Sequence, residues 1–224
     1  GIGLLLSSLP TGKVHLKSGK FAYSVMKKGK EIGTHTFIVE KTKKSYVVTS
    51  VKEMKPEEGG RYRDSTVFYL NKKDGTPLRA DVWTDILIGS FGPIKDYHDI
   101  NLKDGLVEMV TISSSDTTPK KATVKTEEIP WLIEPLGMIL ANLSYKKGKS
   151  YSFKLFFPTT KQIEEATLSV GDVEKIETKG GKVKARRLDI TYRGRQFRYW
   201  VNGKNKPYLL KIEDLTLGTE EIPR

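Results

Sequence analysis

The sequence predicts a mainly β protein: one highly curved antiparallel sheet or incomplete β-barrel, with a single short apolar helix inserted at about 131–144. Three observations carry this expectation. Apolar and polar residues alternate at period two along most of the chain, as in strands with one buried face. Turn dipeptides separate these runs at near-regular spacing, among them Asp74-Gly75, Asp104-Gly105, Gly180-Gly181 and Asn202-Gly203, and such pairs favour hairpins. Residues 129–144, IPWLIEPLGMILANLS, then break the alternation with a stretch whose only charge is Glu134.

Taken in order, residues 1–18 are an N-terminal segment opening GIGLLLSSLP. It reads as a signal-peptide remnant or a scar, or else as a frayed terminus or first apolar strand. A single β domain is expected over 19–217, with 218–224 as a tail. Its first hairpin sets Phe21, Tyr23 and Val25 against 36–39 across the turn KKGKEIG, and further runs follow at 46–54, 62–70, 78–87, 97–102 and 106–113. A second set lies at 151–157, 165–170, 183–192, 197–201 and 208–217. Short links between so many strands point to an antiparallel meander. The two sets also echo each other. FYLNKKDGTPLRADV (68–82) parallels YWVNGKNKPYLLKIE (199–213), and FAYSV with THTFIVE parallels YSFKL with EATLSV. Two related halves, 19–115 and 148–217, around a central helix would produce both likenesses. So would the repetition inherent in any meander.

In the central segment, Leu136, Met138, Ile139, Leu140 and Leu143 point to most sides of a helical wheel. Pro130 and Pro135 suit first-turn positions, where the N–H has no helical partner anyway. Glu134 complements the N-terminal dipole, and Gly137 weakens the helix enough to keep it short. A helix apolar on all sides needs cover on more than one. A flat sheet cannot supply that cover, whereas a wrapped one can.

Catalytic motifs are missing. The sequence has no GxSxG, P-loop, HExxH or GxGxxG, and no cysteine for thiolate or zinc–thiolate chemistry. No catalytic residue, cofactor or metal is assigned, and an enzyme is not expected. The nearest approach to a metal cluster, KDYHDI, puts Asp96 and His98 on one strand face and Asp99 on the other. His98 is therefore expected as a solvated strand-and-turn histidine. The adjacent carboxylates Glu57-Glu58, Glu127-Glu128 and Glu164-Glu165 face opposite ways on strands and read as surface charge. Asp81 and Asp85 share a face around Trp83 and are also expected in solvent.

The net charge is +12, and lysine pairs at 27–28, 43–44, 72–73, 120–121 and 146–147 spread it over expected turns. There it discourages edge-to-edge pairing. The densest stretch, KVKARRLDITYRGRQFR (182–198), carries Arg186, Arg187, Arg193, Arg195 and Arg198. It is expected to be an exposed strand pair rather than a phosphate-binding stripe, which makes nucleic acid the weaker partner. Attraction to an anionic membrane surface suits the same charge. No run reaches the ~18 apolar residues of a helical membrane span.

What remains is apolar and aromatic. A helix laid in a curved sheet can act as plug or lid over a concave pocket. The candidate ligand contacts are Trp131, Leu132, Leu136, Ile139 and Leu140 from the helix, with Trp83 and Trp200 from strands. The opening hairpin GKFAYSVMKKGKEIGTHTFIVEK and the ending RQFRYWVNGKNKPYLLKIED resemble the start and finish of a bacterial envelope family of unknown function, through Gly29, Gly33, Trp200, Pro207 and Leu210. The resemblance spans roughly 19–217. It implies a periplasmic location with the signal peptide removed, and a curved sheet similar to that of periplasmic lipoprotein carriers, whose helix-lined apolar concavity holds acyl chains. It carries no catalytic residues over. The resulting reading is a non-enzymatic envelope protein binding a hydrophobic or amphipathic ligand, such as a lipid, acyl chain or acylated protein. The alternatives are a structural scaffold with a filled core and a nucleic-acid binder using the basic face.

Overall fold

The computed structural model describes residues 5–6, 8–11 and 14–224; residues 1–4, 7, 12 and 13 of the N-terminal segment lie outside them. The described residues form β1 (Leu5–Leu6), β2 (Gly19–Lys27), β3 (Lys30–Lys41), β4 (Ser45–Met54), β5 (Arg61–Asn71), β6 (Pro77–Ile88), β7 (Phe91–Lys103), β8 (Leu106–Ser113) and β9 (Lys120–Lys125). Then come α1 (Ile133–Leu140), β10 (Ser150–Phe157), β11 (Gln162–Thr178), β12 (Gly181–Tyr192), β13 (Arg195–Val201), β14 (Leu209–Asp214) and β15 (Thr219–Pro223).

All strands belong to one sheet in the order β1-β10-β11-β12-β13-β14-β15-β2-β3-β4-β5-β6-β7-β8-β9, mainly antiparallel and not closed. The curved sheet with one short helix is thus the fold that the alternation required. Two meanders meet where β15 pairs with β2, Glu221 opposite Val25. The two-residue β1 runs parallel to β10. One continuous core contains inward residues of β2 through β8, β10 through β14 and α1, with Ala122 and Val124 of β9 packed against it. Both ends of the sheet touch the same core, so the sheet is curled around it.

Several expectations change. Residues 218–224 are not a tail, because β15 sits in the middle of the sheet. Its five residues carry Glu220 and Glu221 and read as surface charge until Glu221 is seen to point inward. The run expected at 208–217 stops at Asp214, whose Oδ1 accepts the N–H groups of Thr216 and Leu217 (both 3.0 Å) and turns the chain. Strand β9, KKATVK, was hidden by its lysines. The N-terminal segment is partly built into the domain, since Leu9, Val14 and Leu16 are core residues. The Tyr46 hydroxyl donates to the Val14 carbonyl (3.4 Å) and the Lys17 N–H to Asn142 Oδ1 (3.4 Å). This segment closes the barrel end that carries the β5–β6 turn, where Gly75 leaves room for Val14 and Thr11.

The helix is shorter than 131–144 at both ends. Trp131 forms an isolated parallel bridge to Leu155, giving its N–H to Lys154 O (2.8 Å) and taking that of Phe156 (2.9 Å). Past Leu140, the Asn142 side chain donates to Met138 O (2.9 Å) and the Tyr145 hydroxyl to Leu140 O (2.6 Å). These side chains satisfy carbonyls that a helix end leaves open. Gly137 has a second role. A Cβ there would lie 3.1–3.2 Å from Leu209, Ile212 and Tyr199, so glycine is what lets the helix sit this close to the sheet.

The internal echo has structural content. The β5–β6 ladder shifts register at Tyr69/Leu70 and the β13–β14 ladder at Trp200/Val201, which are matched positions of the two repeated stretches. Each is followed by an asparagine whose side chain takes the N–H two residues on, Asn71 from Lys73 (2.8 Å) and Asn202 from Lys204 (2.9 Å).

Gly33 faces the Glu53 carbonyl and the Met54 backbone so closely that no Cβ fits. Gly33→Ala should destabilise the protein by about 1–3 kcal/mol through overpacking, read as a lower midpoint in urea unfolding with an unchanged slope.

Candidate functional site

Inward positions change character along each strand. Toward the closed end they are apolar: Phe37 and Val39 on β3, Phe68 and Leu70 on β5, Ala80 and Val82 on β6. Toward the other end the same parity brings His35 on β3, Ser50 and Lys52 on β4, Asp64 and Thr66 on β5, and Thr84 on β6. The helix fills the apolar half. Its N-terminus stops at the boundary and leaves a half-open cavity of about 670 Å³, within the size range of small-molecule sites. Antiparallel connectivity gathers the β6–β7, β10–β11, β12–β13 and β14–β15 turns at this end. They place Phe91, Pro158, Arg193 and Leu217 at the mouth.

The cavity lining mixes apolar residues, among them Met54, Val82, Ile86, Leu132, Phe156 and Ile212, with a buried ionic network centred on Glu221. Its Oε1 lies 2.5 Å from His35 Nδ1 and its Oε2 lies 3.1 Å from Lys52 Nζ. Lys52 is also 4.0 Å from Glu134 at the helix N-terminus, and the Tyr62 hydroxyl donates to Glu134 Oε1 (2.7 Å). Burial alone would raise the Glu221 pKa, but Lys52 and His35 overcome it and bring the carboxyl down to about 2. Burial alone would lower that of Lys52, and the charges of Glu221 and Glu134 hold it above the usual lysine range. Asp64 goes the other way. It is 8% exposed, its Oδ1 accepts only the Thr66 hydroxyl (2.6 Å), and burial with the nearby Glu134 charge pushes its pKa up to about 8.

Ser50, His35 and Glu221 form a hydroxyl–imidazole–carboxylate line, with Ser50 Oγ 2.7 Å from His35 Nε2. The order matches a hydrolytic triad, yet the geometry does not serve nucleophilic attack. Ser50 is 0% exposed and its hydroxyl donates to the Glu134 carbonyl (3.2 Å). The line acts as a tether that binds the helix N-terminus to β3, β4 and β15. Among the described residues, no group of three or more His, Cys, Asp or Glu is placed to hold a metal ion.

Of the seven residues singled out from the sequence, Leu132 lines the cavity. Leu136, Ile139 and Leu140 are wholly buried in the core beneath it, and Trp131 packs 6.0 Å from Phe68. Trp83, 45% exposed, lies on the outer face with Tyr97 (ring centroids 5.0 Å apart). Trp200 belongs to a small outer cluster with Ala185 and Leu210, its indole N–H on Glu174 (2.8 Å). His98 is not solvated. It is 2% exposed, bonded through Nδ1 to Thr111 (2.8 Å), and burial lowers its pKa. The five arginines of 182–198 each meet a protein acceptor: Arg186 the Gly171 carbonyl, Arg187 Glu174, Arg193 Glu164, Arg195 Asp214 and Arg198 Asp189. Among the described residues no helix is long and apolar enough to cross a membrane.

The polar wall escaped the sequence reading. Its signal was parity: Asp64 lies four residues before Phe68, and Lys52 four after Val48, so each shares the inward side of its strand. No protein-family model matches this chain, and no curated protein or solved structure matches it either.

Two pH dependences follow. Glu221 has a depressed pKa, so its contribution to stability is present above the ordinary glutamate range and is lost as pH falls from about 4.5 toward 2. Glu221→Gln should remove this dependence and, by stranding Lys52 and His35, cost about 3–5 kcal/mol at pH 7, measured by urea unfolding across pH. Asp64 has a raised pKa, so the native state holds a proton that the unfolded chain releases, and stability declines from about pH 4 to about 8. Asp64→Asn should raise the thermal midpoint at pH 8 by more than at pH 5.

Proposed function

We propose that this protein is a non-enzymatic binding protein that holds an amphipathic ligand with an apolar chain between helix α1 and the open end of the curled sheet. The observation that carries the reading is the half-open cavity of about 670 Å³, lined by both apolar and buried ionic side chains and rimmed by the exposed Phe91 and Leu217. Burying about 300 Å² of alkyl surface would contribute roughly 7 kcal/mol. Part of that is lost to association entropy, which puts the expected affinity well below the micromolar class, toward millimolar Kd values. Part of the interior is already filled by the helix, so the ligand is a single short chain or the end of a longer one.

The envelope location belongs to the same proposal and rests on the hairpin resemblance alone. Approach to an anionic surface rests on the net charge of +12, and would weaken as salt screens it. The scaffold reading has less support, because a structural filler has no need of a cavity with buried charge in its lining. The nucleic-acid reading is weakened by the pairing of the arginines between 182 and 198.

Binding of the neutral dye Nile red, followed by its fluorescence, should be saturable and be reversed by dodecanol. Val82→Trp projects an indole into the cavity from β6 and should reduce dye binding at least tenfold while leaving the β-sheet circular dichroism intact. Native mass spectrometry of protein purified gently from its source should show a co-purified adduct. Dye binding that is unaffected by Val82→Trp would falsify the location of the site.

A further inference from the structure

Among the described residues, no cation lies closer than 4.0 Å to the carboxyl groups of Glu134 and Asp64 in the cavity wall. Lys52 is 3.1 Å from Glu221 and 4.0 Å from Glu134, and His35 is also bound to Glu221. Apart from that distant lysine, the Glu134 carboxylate is met by a neutral phenol, from Tyr62. Asp64 is met by a neutral hydroxyl, from Thr66. At the mouth, Arg195 is held by Asp214 and Arg193 by Glu164. Directly across the ladder from Asp64 lies Thr84, 6% exposed and part of the cavity wall, whose hydroxyl has no hydrogen-bond partner. A buried polar group without a partner is costly, and this one stands beside a carboxyl group with spare acceptor capacity.

We propose that the cavity accepts an amphipathic primary amine, with its alkyl chain along the apolar lining residues and its ammonium group among Asp64, Thr84 and Glu134. An ammonium group offers three N–H donors and no acceptor, which matches two carboxylates and a hydroxyl oxygen. A carboxylate or phosphate head would meet like charge there, and an alcohol gains no charge–charge attraction. The inference rests on the ligand-binding reading above and adds the chemistry of the head group.

Proton linkage gives it a separate readout. Burial and the Glu134 charge keep Asp64 protonated up to about pH 8, so ammonium entry at pH 7 must expel that proton. The other ionisable groups of the cavity are Lys52 on β4, Tyr62 on β5 and Glu134 on α1, with His35 on β3 and Glu221 on β15 behind Lys52. Tyr192, Arg193, Arg195, Tyr199 and Asp214 face them from β12, the β12–β13 turn, β13 and the end of β14. Lys52 stays charged and the three tyrosines stay neutral through pH 6–9, because their pKa values are all shifted upward.

The test is calorimetric titration with dodecylamine, dodecanol and dodecanoate below their micellar concentrations, in two buffers of different ionisation enthalpy at pH 7. Dodecylamine should bind at least about tenfold tighter than the other two, as one charge-assisted hydrogen bond provides, and release a proton. Asp64→Asn should bring the amine within about threefold of the alcohol and abolish proton release. Thr84→Val should weaken binding of the amine. Equal affinity for amine and alcohol overturns the head-group assignment while leaving the cavity reading in place. Failure of all three to bind overturns both. Dodecyltrimethylammonium carries the charge without N–H donors, and binding as tight as that of dodecylamine would overturn the donor match to Thr84.

Discussion

A helix with no polar side has to be enclosed, and the rest of this structure follows from that requirement. Leu136, Met138, Ile139 and Leu140 are all wholly buried, and they project in directions that no single flat surface can cover. The sheet meets the demand by curling until strands as distant in its order as β5 and β14 both touch the helix. Gly137 permits the closest approach, against Tyr199, Leu209 and Ile212. The chain spends its two termini on the same enclosure. The N-terminal segment closes one end with Val14 and Leu16, and β15 joins the two meanders in the middle of the sheet.

The helix is shorter than the barrel, and the cavity is the consequence. A helix rises about 1.5 Å per residue against about 3.3 Å for a strand. Eight helical residues therefore fill roughly a third of the length that strands of ten to thirteen residues define. The unfilled part could have been packed with larger side chains. Instead its walls carry charge. Glu221 is fully engaged by Lys52 and His35, and such a buried arrangement contributes more to a unique geometry than to net stability. Here it fixes the helix N-terminus in place through Ser50 and Glu134. Asp64 and Thr84 lack equivalent partners, and groups left in that condition in a concave site are what binding reactions use.

Much of the architecture was legible from periodicity. The alternation in Phe21-Ala22-Tyr23-Ser24-Val25 and the hairpin turns gave both strands and order, because pattern and turn chemistry are local. The repeated asparagine turns at Asn71 and Asn202 were visible in sequence, and the matching register shifts confirm that the two hairpins are alike. The site was much less legible. A lone lysine or aspartate in a strand looks solvated, and only its parity with Val48 or Phe68 hints otherwise. His98 illustrates the same difficulty: its neighbours Asp96 and Asp99 suggested solvent, but it shares the inward parity of Ile100 and is buried.

By itself the sequence determined the strand-rich class, the turns and the need to wrap residues around 136–140, since these depend on neighbours a few positions apart. Tertiary structure alone decided that Glu221, inside the segment 218–224 that reads as a tail, meets His35 and Lys52 across 186 and 169 positions. It also decided which aromatic residues face the cavity and which face water. The reason is physical: the curling of the sheet sets contacts by strand order and register, and a shift of one residue would exchange every inward side chain for an outward one.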